Sequence, residues 1–435
     1  MSDAVSFDAV VVGAGPAGCS AALTLARAGC SVALIERGPF PGSKNMYGGV
    51  IYGRVLDGII PNWWEEVPVQ RWVTRRSTMM LTPDQALTID FRTDAWGSAP
   101  YNGATAYRPD FDAWLASKAT EAGAHLVTST VVSGLIIEND RIVGVRTDRP
   151  DGDIRAKVVI ACDGVNSFLA KEAGMYHDHD PRHFTLGVKE TIKLGRDTIN
   201  DRFGVRGTDG VDIEILGCTQ GIPGGGFVYT NLDTVSVGLV LSITSLAAQD
   251  QRPEELIGAL KRHSAIAPLI EGGEVVEYSA HLIPEGGLHM MPELARDGLL
   301  IAGDAAAMCL AAGIWLEGVN FAIASGQAAG QAAAEALRKN DVTRGGLAGY
   351  SQRLETSFVM KDHRKLADIP DLIMSERVQN TYPALACSIL ERIFTVENPR
   401  PKPGFNTIVR SELKAHKVKI RDLLRDGRAG LKGFG

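Results

Sequence analysis

Apolar positions follow two rhythms along this chain. Val10 to Val12 is a β-branched run that ends at Gly13, residues 16–27 are mostly small and apolar, and Val32 to Ile35 is a second unbroken apolar run that closes on Glu36. Short continuous runs bounded by turn residues read as strands buried on both faces, so this opening predicts a strand, a helix and a parallel strand. The same grammar returns at Val158 to Ala161, ahead of Cys162-Asp163-Gly164, and at Leu299 to Ala302, ahead of Gly303-Asp304. Between these runs the period shortens. Residues 72–91 alternate as antiparallel strands, and 127–132, 135–138 and 142–146 read as short strands joined by turns such as Glu138-Asn-Asp-Arg141. Tyr107 to about Ala119 predicts a helix capped by Asp110, with Arg108 just before its start.

From His183 to about Pro284 alternation dominates, with a hairpin turn at Asn231-Leu-Asp-Thr234 and one helix over residues 252–263. A mostly antiparallel sheet is therefore expected between two parts of a parallel-strand lobe. A long helix of small residues opens near Glu317. Beyond Asn340 the pattern is helical with proline breaks, over residues 350–366, 370–378 and 383–394.

The chemistry sits at the ends of the apolar runs. Gly13-Ala14-Gly15-Pro16-Ala17-Gly18 is a turn in which Gly13 permits a sharp bend, Gly15 lets backbone approach a pyrophosphate and Gly18 allows close helix packing. Glu36 then falls where a carboxylate accepts hydrogen bonds from a ribose. These residues alone leave FAD and NAD both open. The Gly303-Asp304 strand end supplies a second acid about three hundred residues away, suited to another ribose-like group such as a ribityl chain, and two half-sites brought together by folding suit one long ligand.

The glycine-dense loop Gly38 to Gly53 carries Lys44 and Asn45, either as a surface loop or as backbone laid beside a flat ligand. Arg108 is either solvated or paired with a phosphate, and Asp163 is either a helix cap or a ligand-facing acid. The small residues after Glu317 either make a tight helix–helix contact or present free N–H groups at Gly318, Val319 and Asn320 that would favour negative charge on a reduced flavin ring, and both can hold.

Composition narrows the function. The 435 residues are long enough for two or three lobes, and a net charge of −6 gives no reason to expect nucleic-acid binding. Six scattered cysteines without a C-x-x-C pair argue against a zinc or iron–sulfur site in this chain and for reduced thiols in the cytoplasm. The N-terminus lacks signal-peptide features, and no apolar tract is continuous enough to span a membrane. Lys and Arg are enriched from Lys414 to Lys432, where a docking or membrane-surface role is one reading and a solvated face the other.

With these motifs placed, the chain resembles the electron-transfer-flavoprotein:quinone oxidoreductase family, and within it the bacterial FixC-type flavoproteins. The resemblance rests on V-V-G-A-G-P-A-G, E-R-G, G-S-K-N-M-Y-G-G, A-C-D-G-V-N-S, G-G-G-F-V-Y-T-N, V-E-Y-S-A-H-L-I-P-E and I-A-G-D-A-A-A-M-C, and covers nearly the whole chain. It implies an α/β fold in which a glutathione-reductase-like, Rossmann-type FAD lobe carries an inserted antiparallel-sheet lobe for substrate or quinone, followed by a helical C-terminal region. The expected boundaries are residues 1–71, 101–182 and 286–340 for the FAD lobe, 72–100 and 183–285 for the second lobe, and 341–435 for the helical region with its basic tail.

By the same resemblance the glycines of the Gly13 to Gly18 turn hold the pyrophosphate and Glu36 the adenosine ribose, with Arg37 beside it a further cofactor-binding candidate. Lys44, Asn45 and Gly49 line the flavin, Arg108 and Val132 contact the adenylate side, Asp304 lies towards the ribityl and phosphate, Gly318 to Asn320 meet the pyrimidine edge, and Asp163 and Gly303 are further cofactor-binding candidates. The implied partners are the two electron-transfer flavoprotein subunits, a separate ferredoxin-like iron–sulfur subunit and a quinone, in a system that in relatives supplies low-potential reductant or bifurcates electrons.

The expected location is cytoplasmic, including the inner face of the cell membrane. The sequence departs from the family at Val50, where an arginine is usual, and at Glu317, where a basic residue is usual; an inward-facing Glu317 would lower the flavin potential. Two rival readings use the same lobes: a geranylgeranyl-reductase-like or aromatic-hydroxylase-like flavoenzyme, and a flavin-free prenyl-binding escort of the Rab GDP-dissociation-inhibitor kind.

Overall fold

The computed structural model describes residues 6–44, 49–176, 180–313 and 315–434. Two sheets organise it. In the first, strands 295–296, 299–301, 154–161, 6–12, 32–35 and 125–127 lie side by side in that order, and a hairpin of strands 132–138 and 141–147 pairs with 154–161. The five strands from 299–301 to 125–127 are mutually parallel. Ala9 to Val11 and Val32 to Leu34 are fully buried, as expected of central parallel strands covered on both faces. The 138–141 turn is tight because Asn139 and Asp140 both take positive φ, at 49° and 63°.

Two helices cover one face. Pro16–Arg27 follows the glycine turn, and Val319–Arg338 packs along it. Glycines set how close they come: a Cβ at Gly326 would lie 2.0 Å from the Ala17 carbonyl oxygen, and one at Gly330 would lie 2.8 Å from that of Ala21. Ser20 Oγ bridges the pair by donating to the Ile323 carbonyl at 2.9 Å. This small-residue contact sets the starts of both helices against the ends of the first sheet.

The second sheet runs in the order 274–284, 184–193, 234–242, 224–230, 209–216, 69–81, 104–106 and 49–51, with 86–92 off the side of 69–81. Among the described residues all its pairings are antiparallel except that of 209–216 with 69–81. The 231–234 turn forms as expected, with Asn231 N–H donating to the Thr234 carbonyl at 2.8 Å. It is clamped from behind by Arg71, wholly buried, whose guanidinium donates to the carbonyls of Asn231, Leu232 and Asp209 and to Asn200 Oδ1.

Two helix starts differ from expectation. The helix Arg108–Glu121 begins at Arg108 itself, with Tyr107 as its cap and Asp110 inside the first turn. Pro109 explains the shift, because proline lacks an N–H and suits the first helical turn. The long helix starts at Val319, two residues after Glu317, with Gly318 as its cap. Beyond it, helices 349–356, 358–365, 369–373, 382–394, 405–415 and 420–434 complete the described C-terminal region.

Candidate functional site

One cavity of about 840 Å³ runs from the strand ends of the first sheet to the face of the second. At the first end Gly13 adopts φ of +100°, and a Cβ there would sit 2.3 Å from the Cys162 carbonyl oxygen. A Cβ at Gly18 would lie 1.8 Å from the Gly13 carbonyl oxygen, so Gly18 lets the helix fold onto its own turn as well as onto Val11 of the strand. Gly15 differs. A Cβ there would meet only Arg108 Nη2 at 3.6 Å, so its backbone faces open cavity at the start of the first helix.

Glu36, buried at the end of the second strand, accepts from Ala14 N–H at 3.0 Å and from Gly38 N–H at 2.7 Å. The acid thus ties the glycine turn to the following loop while lining the cavity. Arg108 hangs over the turn from its helix. Asp112, one helical turn on and buried, grips it with two contacts, Nε to Oδ1 at 2.7 Å and Nη2 to Oδ2 at 2.8 Å. Burial opposes the Arg108 charge, but Asp112 and then Asp304 outweigh it, and the guanidinium stays ionised.

Asp304 reaches the same cavity from the end of strand 299–301. Gly303 before it has φ of +69° and lies against the first helix, where a Cβ would sit 2.9 Å from that of Ala17. Burial raises the Asp304 carboxyl, and Arg108 pulls it back. Asp163 caps a helix and also lines the cavity. Its Oδ2 accepts from Leu169 N–H at 3.1 Å, capping the 168–172 helix, while its buried Oδ1 has no hydrogen-bond partner and the residue lines the cavity.

Of the expected residues, Gly13, Gly15, Pro16, Ala17, Glu36, Arg37, Lys44, Gly49, Arg108, Val132, Asp163, Asp304, Gly318 and Val319 all line this one cavity. Ala14, Gly18, Gly303 and Asn320 are not among the lining residues, and Asn45 lies outside the described residues. Glu317 does face the cavity, with Asn320 Nδ2 donating to its Oε2, and burial raises its carboxyl.

The second sheet contributes groups that the sequence reading did not single out. His281 is held neutral, its pKa lowered to about 4 by burial and then by Arg108 and Arg37. Glu285 is raised to about 7 by burial. Asp212, Glu214 and Tyr52 line the cavity too, with the Tyr52 ring against the Arg76 guanidinium.

An elongated dinucleotide fits these residues on three observations. The backbone at Gly15 is open to the cavity, the lining is continuous from Glu36 to Gly318, and a buried oxygen of Asp163, which lines it, lacks a partner. Parallel strands whose ends carry such a cavity, joined to a mostly antiparallel sheet, define a two-lobed dinucleotide-binding oxidoreductase. Residues 8–181 match the model of the FAD dependent oxidoreductase family, and the cofactor is FAD.

The particular family follows from the whole chain. It is 41% identical over 427 residues to the protein FixC of Salmonella typhi, covering 98% of each. It is 40% identical to the probable electron transfer flavoprotein-quinone oxidoreductase YdiS of Escherichia coli, with the same coverage. To the FixC of Bradyrhizobium diazoefficiens it is 39% identical over 90% of this chain and 91% of the relative. The chain belongs to the FixC family of flavoprotein oxidoreductases. Among solved structures, the fold is similar to a geranylgeranyl bacteriochlorophyll reductase-like protein of Thermoplasma acidophilum, with a TM-score of 0.72 and 21% identity over 95% of this chain and 100% of that one. It is also similar to aklavinone-11 hydroxylase, with a TM-score of 0.63 and 19% identity over 87% of this chain and 70% of that one.

Proposed function

We propose that this protein passes electrons from an electron-transfer flavoprotein to a quinone through its FAD. The observation that carries the reading is the continuity of the cavity: the residues suited to FAD and the face of the second sheet line one cavity, so an acceptor can lie beside the flavin. The name of the 40% identical relative YdiS supplies the donor and acceptor classes. FAD carries the redox chemistry when bound. The protein's own residues hold and shield it. The glycine turn and Arg108 would take the pyrophosphate, Glu36 the adenosine ribose, Asp304 and Asp163 the ribityl and phosphate region, and the N–H groups of 318–320 the pyrimidine edge. Arg37, Lys44, Gly49 and Val132 complete the walls.

A separate ferredoxin-like subunit belongs to this reading as an intermediate carrier, and electron bifurcation is one use of the same wiring. Attachment to the inner membrane face is supported by the last helix, 420–434. Its Ile420, Leu424 and Leu431 side chains are exposed, and Arg421, Arg425, Arg428 and Lys432 lie along the same helix. No helix among the described residues is long and apolar enough to cross a membrane. The test is reconstitution: the FAD-loaded protein should be reduced by its host's electron-transfer flavoprotein and re-oxidised by a quinone. Failure of both half-reactions, with NAD(P)H reducing the protein only when a small aromatic or polyprenyl compound is present, would replace the reading with a reductase or hydroxylase one.

A further inference from the structure

Asp212 and Glu214 are two residues apart on strand 209–216 and so share a face. Arg76 stands directly opposite Asp212 on strand 69–81, with its Nε 3.4 Å from Asp212 Oδ2 and its Nη2 paired to Glu214 Oε1. The three side chains are 19%, 8% and 13% exposed in the order Arg76, Asp212, Glu214, and both acids line the cavity that Gly15 and Asp304 line. The Tyr52 ring caps the guanidinium, 5.9 Å away. Tyr229 lies opposite Asp212 on strand 224–230, and Glu317 approaches from before the long helix, close enough to act on Tyr52 and Arg76.

With both carboxylates ionised this cluster would carry one uncompensated negative charge in a nearly water-free wall, a costly arrangement unless a proton is retained. Burial raises both acids; Asp212 raises Glu214 further, and Arg76 opposes. The structure therefore places an acid that keeps its proton near neutral pH on the second-sheet wall of the cavity.

We propose that Asp212 and Glu214, braced by Arg76, are the proton-donating station for the acceptor, with Glu214 handing its proton to a quinone oxygen; this rests on the quinone reading above. Reducing a quinone to a hydroquinone takes two electrons and two protons. The electrons arrive through FAD from the partner flavoprotein. One proton leaves the Glu214 carboxyl to form the first O–H, and the second comes from water at the cavity mouth. Arg76 holds the Glu214 carboxylate until solvent returns its proton. Arg76 is thus a positioning residue, and Glu214 the donor.

The experiment uses FAD-loaded protein reduced anaerobically by light and a sacrificial donor, then mixed with either a short-chain benzoquinone or ferricenium, which accepts an electron without a proton. The ratio of the two re-oxidation rates is read from pH 6 to pH 9 in the wild type, Glu214→Gln and Asp212→Asn. The wild-type ratio should fall with rising pH. Glu214→Gln should lower the ratio by on the order of 100-fold and remove its pH dependence, since a placed general acid is worth about that much. Asp212→Asn removes the charge that raises Glu214, so its alkaline limb should move to lower pH, a shift that a merely structural role would not give. A Glu214→Gln ratio and pH profile matching the wild type would overturn the proposal while leaving the quinone reading standing. Wild-type protein re-oxidised by ferricenium but by no quinone would overturn the reading and the proposal with it.

Discussion

Replacing Arg108 with methionine should separate two roles that one side chain combines. Arg108 and Asp112 form a two-point pair at 2.7 and 2.8 Å, with the arginine 15% and the aspartate 1% exposed, so the single substitution strands a buried carboxylate. Breaking such a pair costs about 3–5 kcal/mol. Asp112 is already raised by burial, so protonation relieves part of this cost, and the gap to the wild type should narrow as pH falls from 8 to 5. Replacing both partners, Arg108→Met with Asp112→Leu, should restore most of the stability, because apolar residues fill the space without an orphaned charge.

FAD affinity should behave differently. A hydrogen bond to a charged group is worth about 1.5–3 kcal/mol, so losing the guanidinium above Gly15 should weaken FAD by roughly 10- to 150-fold in the single and double variants alike. Urea unfolding and FAD titration by fluorescence read the two quantities on the same samples. A double variant that binds FAD as tightly as the wild type would refute the placement of Arg108 on the cofactor. A single variant as stable as the wild type at pH 8 would refute the buried-pair argument.

Gly326→Val places a branched side chain where even a Cβ would sit 2.0 Å from the Ala17 carbonyl oxygen; the helices must part, at a cost of more than about 1–3 kcal/mol, and the protein should purify with less FAD, read from the flavin-to-protein absorbance ratio. Glu285 has a folded-state pKa raised from 4.5 to about 7, so the folded state binds the extra proton and stability is lost as pH rises between those values. Glu285→Gln should therefore gain stability over the wild type at pH 8 and little at pH 5, measured by unfolding at each pH; an equal difference at both would contradict the shift. Leu424→Asp with Leu431→Asp should reduce co-sedimentation with vesicles containing anionic lipid and leave FAD content unchanged, and undiminished binding would remove the last helix from the membrane reading.

The parts of the site visible in the sequence are those where backbone geometry restricts residue choice. Gly13 and Gly18 are confined by carbonyls 2.3 and 1.8 Å from where a Cβ would stand, and Glu36 and Asp304 end runs so apolar that an acid there stands out. The start of the helix at Arg108 was obscured because Asp110 looks like a cap, although Pro109 already favours an earlier first turn. Asp112 was hidden because an acid one turn after an arginine is ordinary on a helix surface, and only burial makes it a brace.

The Arg76, Asp212 and Glu214 cluster could not be read at all from local pattern. Val211-Asp-Ile-Glu-Ile-Leu216 alternates like any half-buried strand, and nothing in it says that the acidic face turns to a cavity. Its cation arrives from the one parallel pairing of the second sheet among the described residues, 136 residues earlier in the chain.

The claim on which the account depends is that one FAD molecule lies along this cavity with its adenosine at Glu36 and its flavin at the start of the 319–338 helix. An experimental structure of the FAD-loaded protein tests it directly. The account predicts ribose oxygens within about 3 Å of Glu36 and the pyrimidine edge within hydrogen-bond reach of the N–H groups of 318–320. A flavin lying elsewhere, or one running in the opposite direction, would contradict it.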